Sequence, residues 1–329
     1  MIKKYLDSPE VFKIDMDLRP YHDFSANVYV VRTPSQSLVI DCGLYSKRCR
    51  EELIRALRQL ELDPKNTSLF LTHFHPDHIG LVDEFENRNC PVYISEACHN
   101  CIRTFTSDEG LRRLASFYEQ EGIPATSFIA NVSDYTPRRS FPATLLHDRD
   151  TLTVGGVEFQ CLLSPGHTPG QMVLYSPEYQ LLFSGDHILP KSNPNISLWP
   201  QTPNPLKSYL DSLEMLSALP VRMVFPGHDD PFEDLNARAR ELQQHYANQL
   251  DELRRYWGPF HFEGLTAFEI AGKIFYSRTK KDWESQPEII QTLVSWEILS
   301  LLTWLVNAGE ITKKSDGSVM RYLYRPGKD

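Results

Sequence analysis

The sequence has 329 residues, of which 41% are apolar and 23% are charged, and its formal net charge is -9. This length and composition predict a soluble globular protein with a full hydrophobic core and more than one domain. The acidic balance argues against a broad electrostatic hold on nucleic acid or anionic lipid, because both need a surplus of basic residues.

The remaining compositional signals favour a cytoplasmic protein. The lysine pair Lys3-Lys4 is followed by no apolar run, so we expect no signal peptide. No run approaches the roughly 20 apolar residues of a membrane helix, so no membrane partner is predicted. The six cysteines are scattered and are interpreted as reduced thiols. Cys98 and Cys101 have C-x-x-C spacing in a helical segment, and without a second such pair we interpret both as buried thiols.

Strands and helices alternate in the first hundred residues. Short apolar runs between turn residues predict strands at 11–15, 27–31, 37–41, 68–72 and 91–94. A helix is predicted at 46–61, where apolar residues recur at helical spacing and Asp63-Pro64 stops the pattern. A helix between strands indicates an α/β arrangement in this part of the chain.

Four candidate metal ligands directly follow the strand at 68–72. They are His73, His75, Asp77 and His78. His73 and His75 alternate on an extended segment, so both can reach into one site, and the other two lie on the turn beyond. Imidazoles and a carboxylate crowded together away from water need a shared partner, which a metal ion supplies. The stretch therefore predicts a metal site.

Two segments are candidates for substrate contact. The first, at about 95–142, is predicted to be a helical insertion in two pieces broken near Ser107-Asp108, and it either roofs the active site or is a peripheral excursion. The second is the Pro- and Asn-rich loop 189–205, which we expect to be exposed and to face the substrate, with Trp199 as a candidate wall residue.

In the second half of the chain, three predicted strands each end in a small-residue turn that carries one histidine or aspartate. These residues are His167, Asp186 and His228. This half begins near Ala143, with a hairpin whose two-residue turn is Gly155-Gly156. Each of the three residues is a weak signal alone, but with the four earlier ones they provide enough ligands for two ions. His187 is interpreted as an ordinary exposed imidazole.

The tail after Trp257 is predicted to be a separate small module. A short helix near 265 and a longer one at 286–307 precede a hairpin around residues 315–318. The longer helix is predicted to bury an apolar stripe of Ile290, Leu293, Val294, Leu301 and Leu305. Because acidic and basic residues balance here, we favour a packing or homodimerisation role over nucleic-acid binding.

The order of these ligand blocks resembles the metallo-β-lactamase superfamily of metallohydrolases. The blocks are His73-x-His75-x-Asp77-His78, Gly166-His167-Thr-Pro-Gly170, Ser184-Gly-Asp186-His and Pro-Gly-His228. The resemblance implies an α+β fold, a four-layer αββα sandwich over residues 1–258. The tail at 259–329 resembles the winged-helix appendage of one branch of that superfamily.

The resemblance also implies roles for the seven residues. The first metal ion would be held by His73, His75 and His167, the second by Asp77, His78 and His228, and Asp186 would bridge the two. Both ions would be divalent, with zinc favoured and iron or manganese as alternatives. Asp77 is in addition the candidate catalytic residue, because it can orient the hydroxide that the ions share or receive its proton.

The resulting hypothesis is a dinuclear hydrolase that attacks a small ester, thioester or lactone with a metal-bound hydroxide. Its partner would be a small-molecule substrate. An RNA or DNA phosphodiesterase that uses the tail, a mononuclear iron dioxygenase and a binding protein with an inert metal site are the alternatives. The pair Asp77-His78 differs from superfamily members that use a cysteine or a glutamate for the second metal, which argues against antibiotic hydrolysis and oxygen reduction.

Overall fold

A computed structural model of the chain describes residues 1–19, 25–124, 140–257 and 264–324. In these residues one sheet has seven strands that follow one another in chain order. They are β1 (Ile2–Asp7), β2 (Glu10–Asp17), β3 (Ser25–Arg32), β4 (Ser37–Ile40), β5 (Thr67–Leu71), β6 (Val92–Ser95) and β7 (Thr144–Leu146). Pairing is antiparallel from β1 to β4 and parallel from β4 to β7.

Sequence reasoning missed β1 and placed β7 wrongly. The predicted second half of the chain was to begin near Ala143, but β7 pairs with β6 and completes the first sheet. The predicted α/β arrangement is confirmed, because the helix α1 (Lys47–Gln59) makes the crossover between the parallel strands β4 and β5.

The second sheet has five strands in the order β12-β11-β10-β9-β8 over the same described ranges. They are β8 (Thr151–Val154), β9 (Val157–Leu163), β10 (Met172–Ser176), β11 (Leu181–Gly185) and β12 (Met223–Pro226). The predicted hairpin is confirmed: Val154 pairs with Val157 around Gly155 and Gly156, whose φ values are +54° and +89°. Both glycines therefore have the left-handed conformation that this two-residue turn requires.

The two sheets face each other across an apolar layer. Tyr29 of β3 lies 5.3 Å from Phe225 and 5.6 Å from Phe183, measured between ring centroids. Val28 and Val30, on the opposite face of β3, belong to the outer cluster that the helices cover. Because a strand alternates its side chains, each sheet contributes one face to the middle and one to the helices. The four-layer αββα arrangement is thus present, and each buried Phe stabilises it by ~2 kcal/mol.

Helices cover both outer faces. Besides α1 they are α2 (Pro76–Ile79), α3 (Asp83–Glu86), α4 (Glu96–Phe105), α5 (Asp108–Gln120), α6 (Pro205–Ser217), α7 (Leu235–Trp257), α8 (Ala267–Thr279) and α9 (Glu288–Asn307). The predicted break in the insertion is confirmed, because Ser107 is the N-cap of α5 and its Oγ accepts a hydrogen bond from Gly110 N. Residues 125–139 of the insertion lie outside the described ranges.

The C-terminal part has the predicted order of helices followed by a hairpin. The strands β13 (Ile311–Ser315) and β14 (Met320–Tyr324) pair antiparallel after α9. This part packs on the insertion: Trp296 stacks on Tyr118 with ring centroids 4.9 Å apart, and Tyr322 Oη donates to Glu121 Oε2 at 2.9 Å. The predicted boundary at 258–259 lies outside the described residues, and the winged-helix assignment stays a prediction.

The structure corrects two expectations for α9: its predicted stripe is buried at Leu301 and Leu305 but not at Ile290 and Leu293, and the helix does approach the length of a membrane span. Ile290 and Leu293 are each 37% exposed, and the buried side chains of this helix include Trp296, Leu299 and Leu302. The helix is apolar on nearly every side, so its sequence does not show which stripe faces the core. The helix has 20 residues, and an 18-residue window within it has a mean hydropathy of 1.6. By length and composition it could cross a membrane, and half of that window is buried in the fold.

Candidate metal centre

The structure brings all seven predicted ligands to one edge of the sandwich. The first sheet supplies the stretch from His73, just beyond β5, to Asp77 and His78 on α2. From the second sheet come His167, Asp186 and His228, which follow β9, β11 and β12 in that order. Each group therefore reaches the site from the end of a strand, as the sequence pattern predicts.

Three histidine nitrogens converge in the first half of the centre. His75 Nδ1 lies 3.0 Å from His73 Nε2 and 2.9 Å from His167 Nε2. A carboxylate oxygen of Asp186 completes this group, whose ligand atoms all lie within 4.8 Å of one another. Such spacing suits a single cation bound by imidazole and carboxylate ligands.

The second half combines Asp77, His78 and His228, whose ligand atoms also lie within 4.8 Å of one another. His228 Nε2 lies 3.4 Å from Asp77 Oδ2. Asp186 reaches this half too, with Oδ1 3.4 Å from His78 Nε2 and Oδ2 3.2 Å from His228 Nε2. The carboxylate of Asp186 thus lies between the two halves.

One buried carboxylate fixes the orientation of two histidine rings. Thr72 Oγ1 donates to Asp41 Oδ2 at 2.9 Å, so the same hydroxyl oxygen accepts from His73 Nδ1 at 3.0 Å. His78 Nδ1 donates to Asp41 Oδ2 at 2.7 Å. Both Nδ1 atoms therefore carry a proton, so each ring turns its Nε2 atom toward the site, where it can bind a cation once that nitrogen carries no proton.

Main-chain carbonyls orient two further rings in the same way. His167 Nδ1 donates to Asn195 O, and His228 Nδ1 donates to Ser25 O, both at 2.8 Å. A carbonyl only accepts, so each Nδ1 carries a proton and each Nε2 is the ring atom that faces the site. Four of the histidines therefore have a tautomer fixed for binding a cation.

The donor set fits a divalent metal. His78 Nε2 and Asp186 Oδ1 are buried and lie 3.4 Å apart, but neither makes a hydrogen bond of normal geometry in the described part of the chain. Leaving such atoms unpaired costs about 1–3 kcal/mol each, which a bound cation would offset. A Cβ at Gly227 would lie 2.1 Å from Asp186 Oδ1 and 2.8 Å from His78 Cε1, so the chain keeps this space open. The His/Asp cluster is suited to divalent metals, while the individual ligand roles stay predictions.

Comparison with a protein-family model shows the superfamily to which the chain belongs. The model described as "Metallo-beta-lactamase superfamily" matches residues 22–228. The chain belongs to the metallo-β-lactamase superfamily. It is a metal-dependent hydrolase of that superfamily, and its α+β fold of mixed sheets and helices agrees with this membership.

Individual relatives extend the likeness beyond the matched span. The chain is 26% identical over 275 residues to the probable metallo-hydrolase YqjP of Bacillus subtilis, covering 78% of this chain and 82% of the relative. It is 27% identical over 218 residues to the acyl-coenzyme A thioesterase MBLAC2 of Gallus gallus, covering 63% and 73%. The crystal structure of the metallo-beta-lactamase family protein TTHA1429 from Thermus thermophilus superposes with a TM-score of 0.80 and 27% identity over 96% of this chain and 98% of that one.

Electrostatics separate the two halves of this superfamily site. Burial lowers the pKa of His73 well below its ordinary value of 6.5 and that of His75 to about 3, so both rings are neutral at neutral pH. Burial also acts against charge on His78 and His228, but the neighbouring Asp186 and Asp77 outweigh it. They hold the pKa of His78 well above 6.5 and raise that of His228 to about 9.

Asp41 is the site residue that sequence reasoning missed. It directly follows β4, and its φ of +61° is a left-handed conformation that aspartate tolerates better than most residues. A signal existed, because β4 is the parallel neighbour of β5 and ends in a carboxylate at the same edge. What the sequence did not show was a hydrogen bond to a ring 37 positions away.

His187 is not the exposed imidazole that we predicted. It is fully buried, its ring centroid lies 4.7 Å from that of Tyr209, and its carbonyl accepts from Tyr209 Oη at 2.9 Å. The turn after β11 is covered by α6, so a polar residue there is buried despite its place beside Asp186. Burial lowers the pKa of His187 to about 3.

The other histidines have structural surroundings or lie outside the described residues. His99 Nε2 lies 3.0 Å from Phe141 O, and His147 pairs with Glu96 on the surface. His245 is half-buried beside Tyr246. His22 and His261 fall outside the described ranges.

The loop 189–205 is more buried than predicted. Trp199 is 4% exposed, and its ring centroid lies 5.2 Å from that of Phe74. Asn195, in contrast, lines an open cleft of about 830 Å³ that reaches His167, Asp186 and His228. No residue of the described part of the insertion lines this cleft, and neither does Trp199.

Proposed function

We propose that the chain is a dinuclear metal-dependent hydrolase that cleaves a thioester or a related small ester or lactone. The observation that carries this proposal is the convergence of histidine ring nitrogens from two sheets on the carboxylate of Asp186. When bound, two divalent ions supply a nucleophile from water near neutral pH and polarise the attacked carbonyl.

Asp77 is suited to handle the proton of the attacking water. Its carboxylate is mostly buried, which alone would raise its pKa, but in the metal-free protein the charges of His78 and His228 outweigh burial and lower it. Asp77 is therefore ionised at neutral pH and can accept a hydrogen bond or a proton. Its Oδ2 lies 3.4 Å from His228 Nε2, inside the second half of the centre.

Two observations favour a small acyl substrate over a nucleic acid. The cleft of about 830 Å³ lies in the range of about 300–1,000 Å³ that is usual for small-molecule sites. The net charge of -9 opposes association with a polyanion. The likeness to MBLAC2, named an acyl-coenzyme A thioesterase, supports a thioester within that class.

The experiment measures release of free thiol from a panel of acyl thioesters. Hydrolysis of a lactone and of a phosphodiester is measured in parallel. We expect turnover of at least one acyl substrate, its loss after treatment with a chelator and its return when a divalent metal is added. Asp186→Ala should lower kcat/KM by about a thousandfold, because several kcal/mol of transition-state stabilisation are lost. The matched control is His147→Ala, at an exposed surface histidine, which should leave the rate unchanged.

Two results would contradict the proposal. Full turnover in the metal-free protein would exclude metal-dependent chemistry. Cleavage of the phosphodiester without cleavage of any thioester, ester or lactone would favour the nuclease alternative.

A further inference from the structure

The turn that carries His228 is held by hydrogen bonds from the opposite sheet. Pro226 O accepts from Tyr29 Oη at 2.7 Å and from Asn27 Nδ2 at 2.9 Å. Gly227 O accepts from Asn27 N at 2.7 Å. These donors belong to β3, whereas the turn follows β12, so the contacts join the two sheets at the edge where the ligands meet.

A buried lysine holds the far side of the same turn. Lys13 of β2 is 4% exposed, and its Nζ lies 2.8 Å from Asp15 Oδ1, 2.9 Å from Asp230 Oδ1 and 3.2 Å from Asp229 O. An ammonium group has three N–H donors, and here each has an acceptor. Because a buried charge is costly unless it is fully paired, this geometry strongly constrains where the turn can lie.

The two sets of contacts meet on one carbonyl. Asp229 O accepts from Asn27 Nδ2 at 2.6 Å in addition to its contact with Lys13. Asp229 has a φ of +65°, a backbone conformation that costs about 1 kcal/mol and persists only where surrounding contacts enforce it. Residue 228 is therefore bracketed on both sides by carbonyls with fixed positions.

We propose that Lys13, Asn27, Tyr29 and Asp230, here called the His228 clamp, are positioning residues for the second metal site. They fix the backbone on either side of His228 and so the place of its Nε2 beside Asp186. The inference rests on the two-metal centre of the proposed function. Lys13 and Asp230 lie outside the span 22–228 that matches the family model.

The clamp acts on one half of the centre. Its hydrogen bonds reach the turn at residues 226–230, and none in the described part of the chain joins Lys13 to His73, His75 or His167. Loss of the clamp should therefore weaken the second metal site and spare the first. A general loss of stability would weaken both together.

The experiment titrates the metal-free full-length protein with cobalt(II) and follows its visible absorption, with metal content measured after dialysis. In Lys13→Met we expect second-site affinity to fall about 10–100-fold, as for other residues that orient metal ligands, and first-site affinity to change less than about threefold. Lys13→Arg, which keeps the charge, should recover most of the loss. The matched control is Lys4→Met, whose lysine pairs with Asp7 and Glu10 on the surface.

A second variant tests the His228 clamp in case Lys13→Met does not fold. The side chain of Asp230 is 68% exposed, so Asp230→Asn should fold and should lower second-site affinity in the same direction by a smaller factor. Two tight sites in both variants, or equal losses at both sites, would overturn the clamp alone. A parent protein that binds a single ion would overturn the two-metal centre and the clamp together.

Discussion

The two halves of the metal centre are built from the same residue types but differ in charge. Around His73, His75 and His167, burial dominates, and the rings are neutral before any ion arrives. Around His78 and His228, carboxylates dominate, and the rings hold protons at neutral pH. The difference comes from the number of nearby carboxylates, because burial acts against the charged ring in both halves.

The identity of the ligand residues does not by itself determine which of the two metal ions binds first. The rings of the first half are neutral, so a cation that binds there releases no proton from them. The second half must exchange protons for metal, which makes its affinity depend on pH. We expect the first half to be the tighter site below neutral pH.

A large effect, second to that of Asp186→Ala, should come from closing the space between the two halves of the centre. In Gly227→Ala the new Cβ would lie 2.1 Å from Asp186 Oδ1, so the carboxylate or the turn must shift. A displacement of about 1 Å at a catalytic centre costs roughly a hundredfold, and we expect kcat/KM to fall by about that factor. Steady-state kinetics with metal analysis will check this. Unchanged kinetics would show that Asp186 is not confined as the structure indicates.

A smaller pair of effects should separate the halves through their outer hydrogen bonds. Asp41→Asn puts an amide donor opposite His78 Nδ1 and Thr72 Oγ1, so we expect a loss of about 10–100-fold in second-site affinity and a smaller loss at the first site, whose His73 it reaches only through Thr72. Thr72→Val removes the acceptor of His73 Nδ1 alone and should weaken only the first site, by about tenfold. Metal titrations of both variants provide the measurement, and identical losses at both sites in each would refute the separation.

The smallest effect is a difference in proton release. At pH 7 the pKa of His228, about 9, keeps the ring protonated in the metal-free protein, so an ion that binds there must expel that proton. The pKa of His75, about 3, means that no proton leaves with the first ion. Calorimetry in two buffers of different ionisation enthalpy should show buffer dependence for the second ion only. Equal buffer dependence for both ions would show that the two halves do not differ in protonation.

Sequence alone located the seven predicted ligands because each follows a strand that its own residues define. Buried apolar runs followed by small-residue turns are local signals, and strand ends of a layered sheet meet at common edges. Asp41 and Lys13 escaped the same reasoning because their roles depend on partners far along the chain, His78 for one and Asp230 for the other. Pairing of that kind has no local pattern.

The sequence also predicted poorly which side chains are buried. His187 and Trp199 belong to polar, proline-rich surroundings, yet both are buried, His187 against Tyr209 of α6 and Trp199 against aromatic rings of α4 and α9. Ile290 and Leu293 belong to an apolar helix, yet both are exposed. In each case the deciding factor is which neighbouring element covers the residue, and that depends on the tertiary arrangement.

The closeness of His73, His75, Asp77 and His78 in the chain affects how an ion would stabilise the fold. An ion that binds only the native state raises stability by an amount that grows with its affinity and its free concentration, but binding to the unfolded chain subtracts from that amount. Four donors within six positions can chelate a cation before either sheet has formed. The native centre adds His167, Asp186 and His228, which are available only after a large loop has closed. Metal should therefore stabilise the fold by less than its native affinity suggests.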